Sequence, residues 1–319
     1  MRRGVAQAVA ALAAAGLCAA AAGGIVATVT GPTTAPPAMQ SSAPPAAGPV
    51  QLDPMYASVD DRWPGPNSTG VPDDIPLTRS GPVTISTPDA IVEALEIHGD
   101  LTILADNVTV RYVRIVGGVV RVGDETVSPG GVILMDSEVN GRGRSDAPRL
   151  AGVGYSGITV LRADIHHVGV GVAAVSDVVV RDSWIHDLVV EGDPAQGGSH
   201  NEPILSNGGR NLRFIGNRLE AGPEPNMSGA LALYGDFEPI LDVEITGNLL
   251  AGGGYALYAG SLPDKRFPRA ERVRVIDNVF YRDRLLDGGT EGPVAGWGDG
   301  PGHVWSGNVW SDDGSPVTP

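Results

Sequence analysis

The chain has 319 residues, rich in Gly (45) and Pro (26) and poor in aromatics, so many turns and few long helices are expected. Its formal net charge of −15 argues against nucleic acid, whose binding rests on Lys and Arg neutralising phosphate. Polyanionic glycans would need Ca²⁺ or a local Arg patch to bridge the charge.

Residues 1–30 read as an export leader. Arg2 and Arg3 precede an uncharged Ala/Gly/Val-rich stretch from Val5 to Thr30, with Ala20-Ala21-Ala22 a candidate cleavage triplet. The alternative is an N-terminal membrane anchor, since the stretch is long enough to span a bilayer. Cys18, the only cysteine, falls in this leader, so no disulfide is expected in the exported part. Leu17 stands where a lipid-attachment signal wants a small residue. Residues 31–61 form a Pro/Ala-rich linker that cannot bury a core. A secreted or cell-surface monomer follows, touching a membrane only through an uncleaved leader.

Residues 62–319 form the folded part. Trp63-Pro64-Gly65-Pro66-Asn67-Ser68-Thr69-Gly70 reads as an irregular cap over the first coil, with Trp63 as its apolar plug. An octet of the form apolar–x–apolar–x–Asp/Gly–Asn/Ser–x–apolar then starts at Val108, Val132, Ile158, Val178, Leu212, Val243, Val273 and His303. Such a period marks a solenoid, and period-2 alternation makes its units strands whose first and third positions face inward. The fifth position suits a left-handed bend. The sixth, read along Asn217, Asn248, Asn278 and Asn308, predicts an internal amide ladder. Second strands precede the octets at Val170–Val172, Ile204–Ser206, Ala230–Leu233 and Tyr255–Tyr258. The fold class expected is all-β: a right-handed parallel β-helix with N- and C-terminal caps, the latter carrying Trp297, Trp305 and Trp310.

Candidate chemistry lies where coils align. Asn140, His166, His186 and Glu220 occupy one position after the octets, with His167 and Asp187 beside them. The longest interval, from Val178 to Leu212, holds an insertion carrying His200 and Glu202, and solenoid insertions often line the binding face. If it folds back over the row, His186, His200, Glu202 and Asp187 become acid–base candidates. His166 and Arg181 would then bind substrate, and Arg162 or Arg181 would offset developing charge. The competing reading is a solvated strand-to-turn corner. No compact metal-ligand spacing is present. Tyr234, Tyr255, Tyr258 and Tyr281 form a recurring aromatic track that would stack sugar rings or pack on its neighbours.

The stretches Trp63–Pro72, Val180–Asp187, His200–Gly209, Tyr234–Pro239 and Trp305–Trp310 make the chain resemble secreted actinobacterial right-handed parallel β-helix repeat proteins. That resemblance implies a fold shared with polysaccharide lyases and hydrolases. The chain departs from the family in lacking coil cysteines. It also lacks the paired basic residues of pectate lyases, having one lysine, Lys265, and the aspartate trio with Gly-His-Gly of polygalacturonases. Two functions remain open: a polysaccharide lyase or glycoside hydrolase acting on an extracellular or cell-wall glycan, and a non-catalytic carbohydrate-binding or surface module.

Overall fold

The computed structural model describes residues 62–282 and 285–319. The expected leader, linker and Cys18 lie outside the described residues. What is described is nearly all strand and turn, with two single-turn 3₁₀ segments, Ala147–Arg149 and Pro194–Gln196.

The octet sets the geometry of each repeat. Its fifth position is left-handed in all eight copies: Tyr112, Asp136, Arg162, Asp182, Gly216, Gly247, Asp277 and Gly307. Asp and Gly adopt this conformation at low cost. Tyr112 and Arg162 adopt it too, held by the repeat around them. The bend divides the octets into two short strands, except the one at Val108, which stays within a single strand, Thr109–Val116. In the repeat at Val178 these are Ser176–Arg181 and Trp184–His186; in the next they are Gly209–Ile215 and Arg218–Glu220. A third strand, such as Val170–Ala174 or Glu202–Ser206, completes the repeat.

All pairings between these strands are parallel and in register with the octets. The two octet strands contribute to one sheet of 17 strands, joined where Thr109–Val116 pairs with both Val132–Met135 and Glu138–Asn140. The third strands build a separate sheet of nine. This is an all-β, parallel, repetitive architecture compatible with a coiled β-solenoid. The core is one continuous cluster that includes Val178, Val180, Ile185, Leu212, Phe214 and Leu219, all fully buried. Each large aliphatic side chain so buried contributes roughly 1.5–3 kcal/mol.

The amide ladder is present. The backbone N–H and Nδ2 of Asn217 both donate to Oδ1 of Asn248 at 2.9 Å. Asn248 repeats the pair on Asn278, and Asn278 on Asn308. Ser183 N–H extends the ladder onto Asn217 Oδ1, and the Ser183 hydroxyl accepts from Ala163 N–H.

The two ends differ. Trp297, Trp305 and Trp310 pack against the core at the C-terminal end, and Trp305 Nε1 donates to Val317 O at 2.8 Å. The N-terminal segment corrects the sequence expectation. Residues 62–70 lie along the flank of the middle repeats instead of capping the first coil. Gly70 N–H donates to Arg162 O at 3.0 Å, its Cα faces Asp164, and Gly65 lies against the Arg218 guanidinium. Trp63 is only half-buried and plugs no core. Pro64 and Pro66 cannot donate to a ladder, and the glycines between and after them weaken an extended strand, so the stretch settles as an irregular strap.

Candidate functional site

The register gathers the predicted residues into two clusters. The first is the histidine row on the outer side of the second octet strands. His166 stands opposite Asn140 and His186, while Asp164 stands opposite Glu138 and Trp184. Two columns result because residues flanking an inward Ile or Val must point outward.

Each ring nitrogen of His166, His167 and His186 has a polar neighbour. His186 Nε2 lies 2.9 Å from Asp164 Oδ1, and its Nδ1 lies 2.9 Å from Asp187 Oδ2. The His186 ring stacks on Trp184 with centroids 3.5 Å apart and on His166 at 5.2 Å. His166 Nδ1 lies 2.5 Å from His167 Nδ1, and its Nε2 lies 3.3 Å from Glu138 Oε1. Burial alone would lower the His186 pKa, but Asp164 and Asp187 outweigh it and raise the pKa above the usual histidine value. Burial, the neighbouring His166 and Arg142 push His167 down. Burial would raise Glu138, yet His166 and Arg114 hold it at about 2.

The insertion does not fold back over this row. Buried Asn201 donates through Nδ2 to Pro148 O, Gly169 O and Val189 O, and Asn226 Nδ2 binds Gly192 O and Ser199 O. Arg149 adds an ion pair to Glu191. These contacts dock the insertion on the turn at residues 147–150. His200 is left exposed, with no bond or ring contact to the row among the described residues. Arg181 also stands apart, exposed and paired with Asp182 at 2.9 Å.

Glu202 leads to the second cluster, on the sheet of nine. The parallel bridge Asn201↔Met227 places Ser228 beside Glu202 in the next repeat. Glu202 is 2% exposed, and its Oε2 has no hydrogen-bond partner. Burial raises its pKa to about 7, against opposing contributions from Ser228 and Lys265. Tyr234 packs edge-on to Tyr258 at 5.1 Å, and Tyr258 packs on Tyr255 at 5.4 Å. Lys265 Nζ sits 4.5 Å from the Tyr234 ring centroid and 3.3 Å from Asp236. Burial, with the nearby Glu202 second, pushes the Tyr234 hydroxyl up. Burial, then Glu291, Tyr255 and Glu202, take Tyr258 to about 12. Both phenols thus stay protonated near neutrality, whereas burial brings the Glu202 carboxyl pKa up to about 7.

Sequence reasoning named Glu202 and the three tyrosines but missed Ser228, Lys265, Asp236 and Glu291. These lie in turns outside the octets. The one available signal was that Lys265 is the sole lysine. Among the described residues no three His, Cys, Asp or Glu side chains are grouped as metal ligands. Comparison with family models, curated proteins and solved structures gives no match.

Proposed function

We propose that this chain is an exported right-handed parallel β-helix that engages an extracellular or cell-envelope polysaccharide and cleaves it at the Glu202–tyrosine cluster. One observation carries this reading: the Glu202 carboxyl is buried with an unpaired oxygen near the half-buried Tyr234 and Tyr258. An unpaired buried polar atom costs about 1–3 kcal/mol. A ligand hydroxyl would satisfy it once the side chains covering the oxygen move aside. Tyrosine faces suit sugar rings, and a carboxyl that protonates near neutrality suits general acid–base work. The net charge of −15 favours a neutral glycan over a polyanion. The basic and then apolar leader supports export, as does the resemblance to secreted actinobacterial repeat proteins.

The histidine row serves this function only through stability, because each of its rings is held by carboxylates or by another ring. The second reading, a non-catalytic carbohydrate-binding or surface module, is favoured by the lack of lyase and polygalacturonase signatures. It uses the same tyrosines.

The test is product release from a panel of neutral and acidic polysaccharides, with and without Ca²⁺. The expected result is new chain ends from the wild type, a loss of about 10²–10⁴-fold in Glu202→Gln, and retention in His186→Gln. Glycan retention without product establishes the binding module. Neither product nor retention on any glycan rejects both readings.

A further inference from the structure

A hollow of about 570 Å³ opens on the outer surface of the repeats at Val132 and Ile158. Its floor is the outward side of two paired octet strands. Ile133 and Thr159 stand opposite each other there, because Val132 and Ile158 point into the core. Its wall is the loop at residues 123–131. Asp124 Oδ1 accepts from Thr126 N–H at 2.7 Å and from Val127 N–H at 2.9 Å, and Gly130 N–H donates to Asp106 Oδ1 at 2.8 Å, so the loop is braced at both ends. Ser128 joins from this loop, and Ser156 and Asp177 join from the repeats that follow. The hydroxyls of Ser128, Ser156 and Thr159 have no hydrogen-bond partner among the described residues. Asp177 is the one charged residue of the lining, and its Oδ1 accepts from Asn211 Nδ2 at 2.6 Å.

The register puts this hollow in line with the tyrosines. Tyr155 stands opposite Ala174; Ala173 pairs with Leu205, so Ala174 aligns with Ser206, which pairs with Leu233. Ser156 and Tyr234, each one residue further on, therefore share one corner three repeats apart, about 14 Å along the axis. Resting on the reading that this protein engages a glycan, we infer that the hollow is a second sugar-binding site, a distal subsite for the same neutral oligosaccharide that reaches the tyrosine cluster. A sugar supplies what the hollow lacks. Its hydroxyls pair with the three unbonded side-chain hydroxyls and with the open side of the Asp177 carboxylate, and the apolar face of its ring covers Ile133. No cation lines the hollow, and Asp177 repels an anionic sugar. A wall already braced before the ligand arrives lowers the ordering cost of binding. A chain of several sugars spans both sites, whereas a short one reaches only one of them.

The experiment measures the Kd of the full chain for oligosaccharides of increasing length, prepared from whichever glycan of the panel the wild type cleaves or retains. Two variants act on the hollow alone. Gly130→Phe fills it: no atom lies within 4 Å of a Cβ at Gly130, so the ring meets open space. Ser156→Ala combined with Thr159→Val removes two hydroxyls that have no internal partner. The wild type should gain affinity as the oligosaccharide lengthens. Each variant should give up about tenfold of that gain, with the melting temperature unchanged. If Gly130→Phe also lowers the melting temperature, the hydroxyl variant decides. A wild-type affinity that does not rise with length, or variants that keep the whole rise, overturn the distal site and leave the tyrosine cluster as the only glycan site. An acidic oligosaccharide bound as tightly as a neutral one of equal length overturns the neutral assignment. If the wild type engages no glycan of the panel, the inference falls together with the reading it rests on.

Discussion

The histidine row and the Glu202 cluster use similar side chains, and they differ in how completely those side chains are satisfied. In the row, His186 has a carboxylate at each nitrogen and stacks with two aromatic rings, and the strap at residues 62–70 lies against the same flank. Drawing a proton from it means dismantling ion pairs. In the Glu202 cluster, one carboxyl oxygen has no partner at all. Polar groups on a repetitive scaffold are cheap to keep where neighbouring repeats answer them and expensive where none does. An orphan that persists on such a scaffold is the better guide to chemistry than a crowd of titratable residues.

The largest effect that would separate the clusters is the pH dependence of stability. Glu202 has a folded pKa raised from 4.5 to about 7. Its favourable contribution is therefore complete below about pH 4.5 and is lost as pH rises through 7, a fall of roughly 3 kcal/mol. Glu202→Gln should lack that fall, so its chemical unfolding midpoint should exceed that of the wild type above about pH 8 and approach it near pH 5. Parallel curves for the two proteins would remove the distinction between the clusters.

His186→Ala should act oppositely. It strands Asp164 and lowers stability by about 2 kcal/mol; Asp187 is 72% exposed and adds little. Because the folded pKa of His186 is raised, its ion-pair contribution is complete below the unfolded value near 6.5 and is lost as pH rises through the folded one. Unfolding of this variant should therefore differ most from wild type at acid pH, while turnover per folded molecule stays unchanged. A loss of turnover without a loss of stability would move the chemistry back to the row. The smallest effect belongs to His200→Ala, expected to lie within about 0.5 kcal/mol of wild type and to leave glycan turnover intact.

The repeats were readable because each position of the octet carries one physical demand. Even so, Arg162 and Tyr112 adopt the left-handed bend without being the residue types that signal it. The alignment of His166 with His186 also followed from spacing. What the residues did not disclose was which aligned polar groups answer one another. Glu202 and His200 lie two positions apart, yet one is enclosed by Ser228 and the tyrosines while the other faces solvent. Ser228 and Lys265, which act on Glu202, come from non-strand segments of later repeats, and such segments carry no period. The strap was misplaced for a similar reason: proline and glycine showed that it is irregular but not which flank would receive it.

The asparagine ladder has a direction. Each rung hands its amide protons to the rung that follows, and no rung requires a different chemistry from its neighbours. The chain therefore has a unit of growth. Duplicating the 30 residues that separate Asn248 from Asn278 would insert a whole storey, about 4.8 Å tall, with its amides already matched above and below. Length along the axis is an adjustable dimension of this protein, set by copying and independent of the chemistry displayed on its walls.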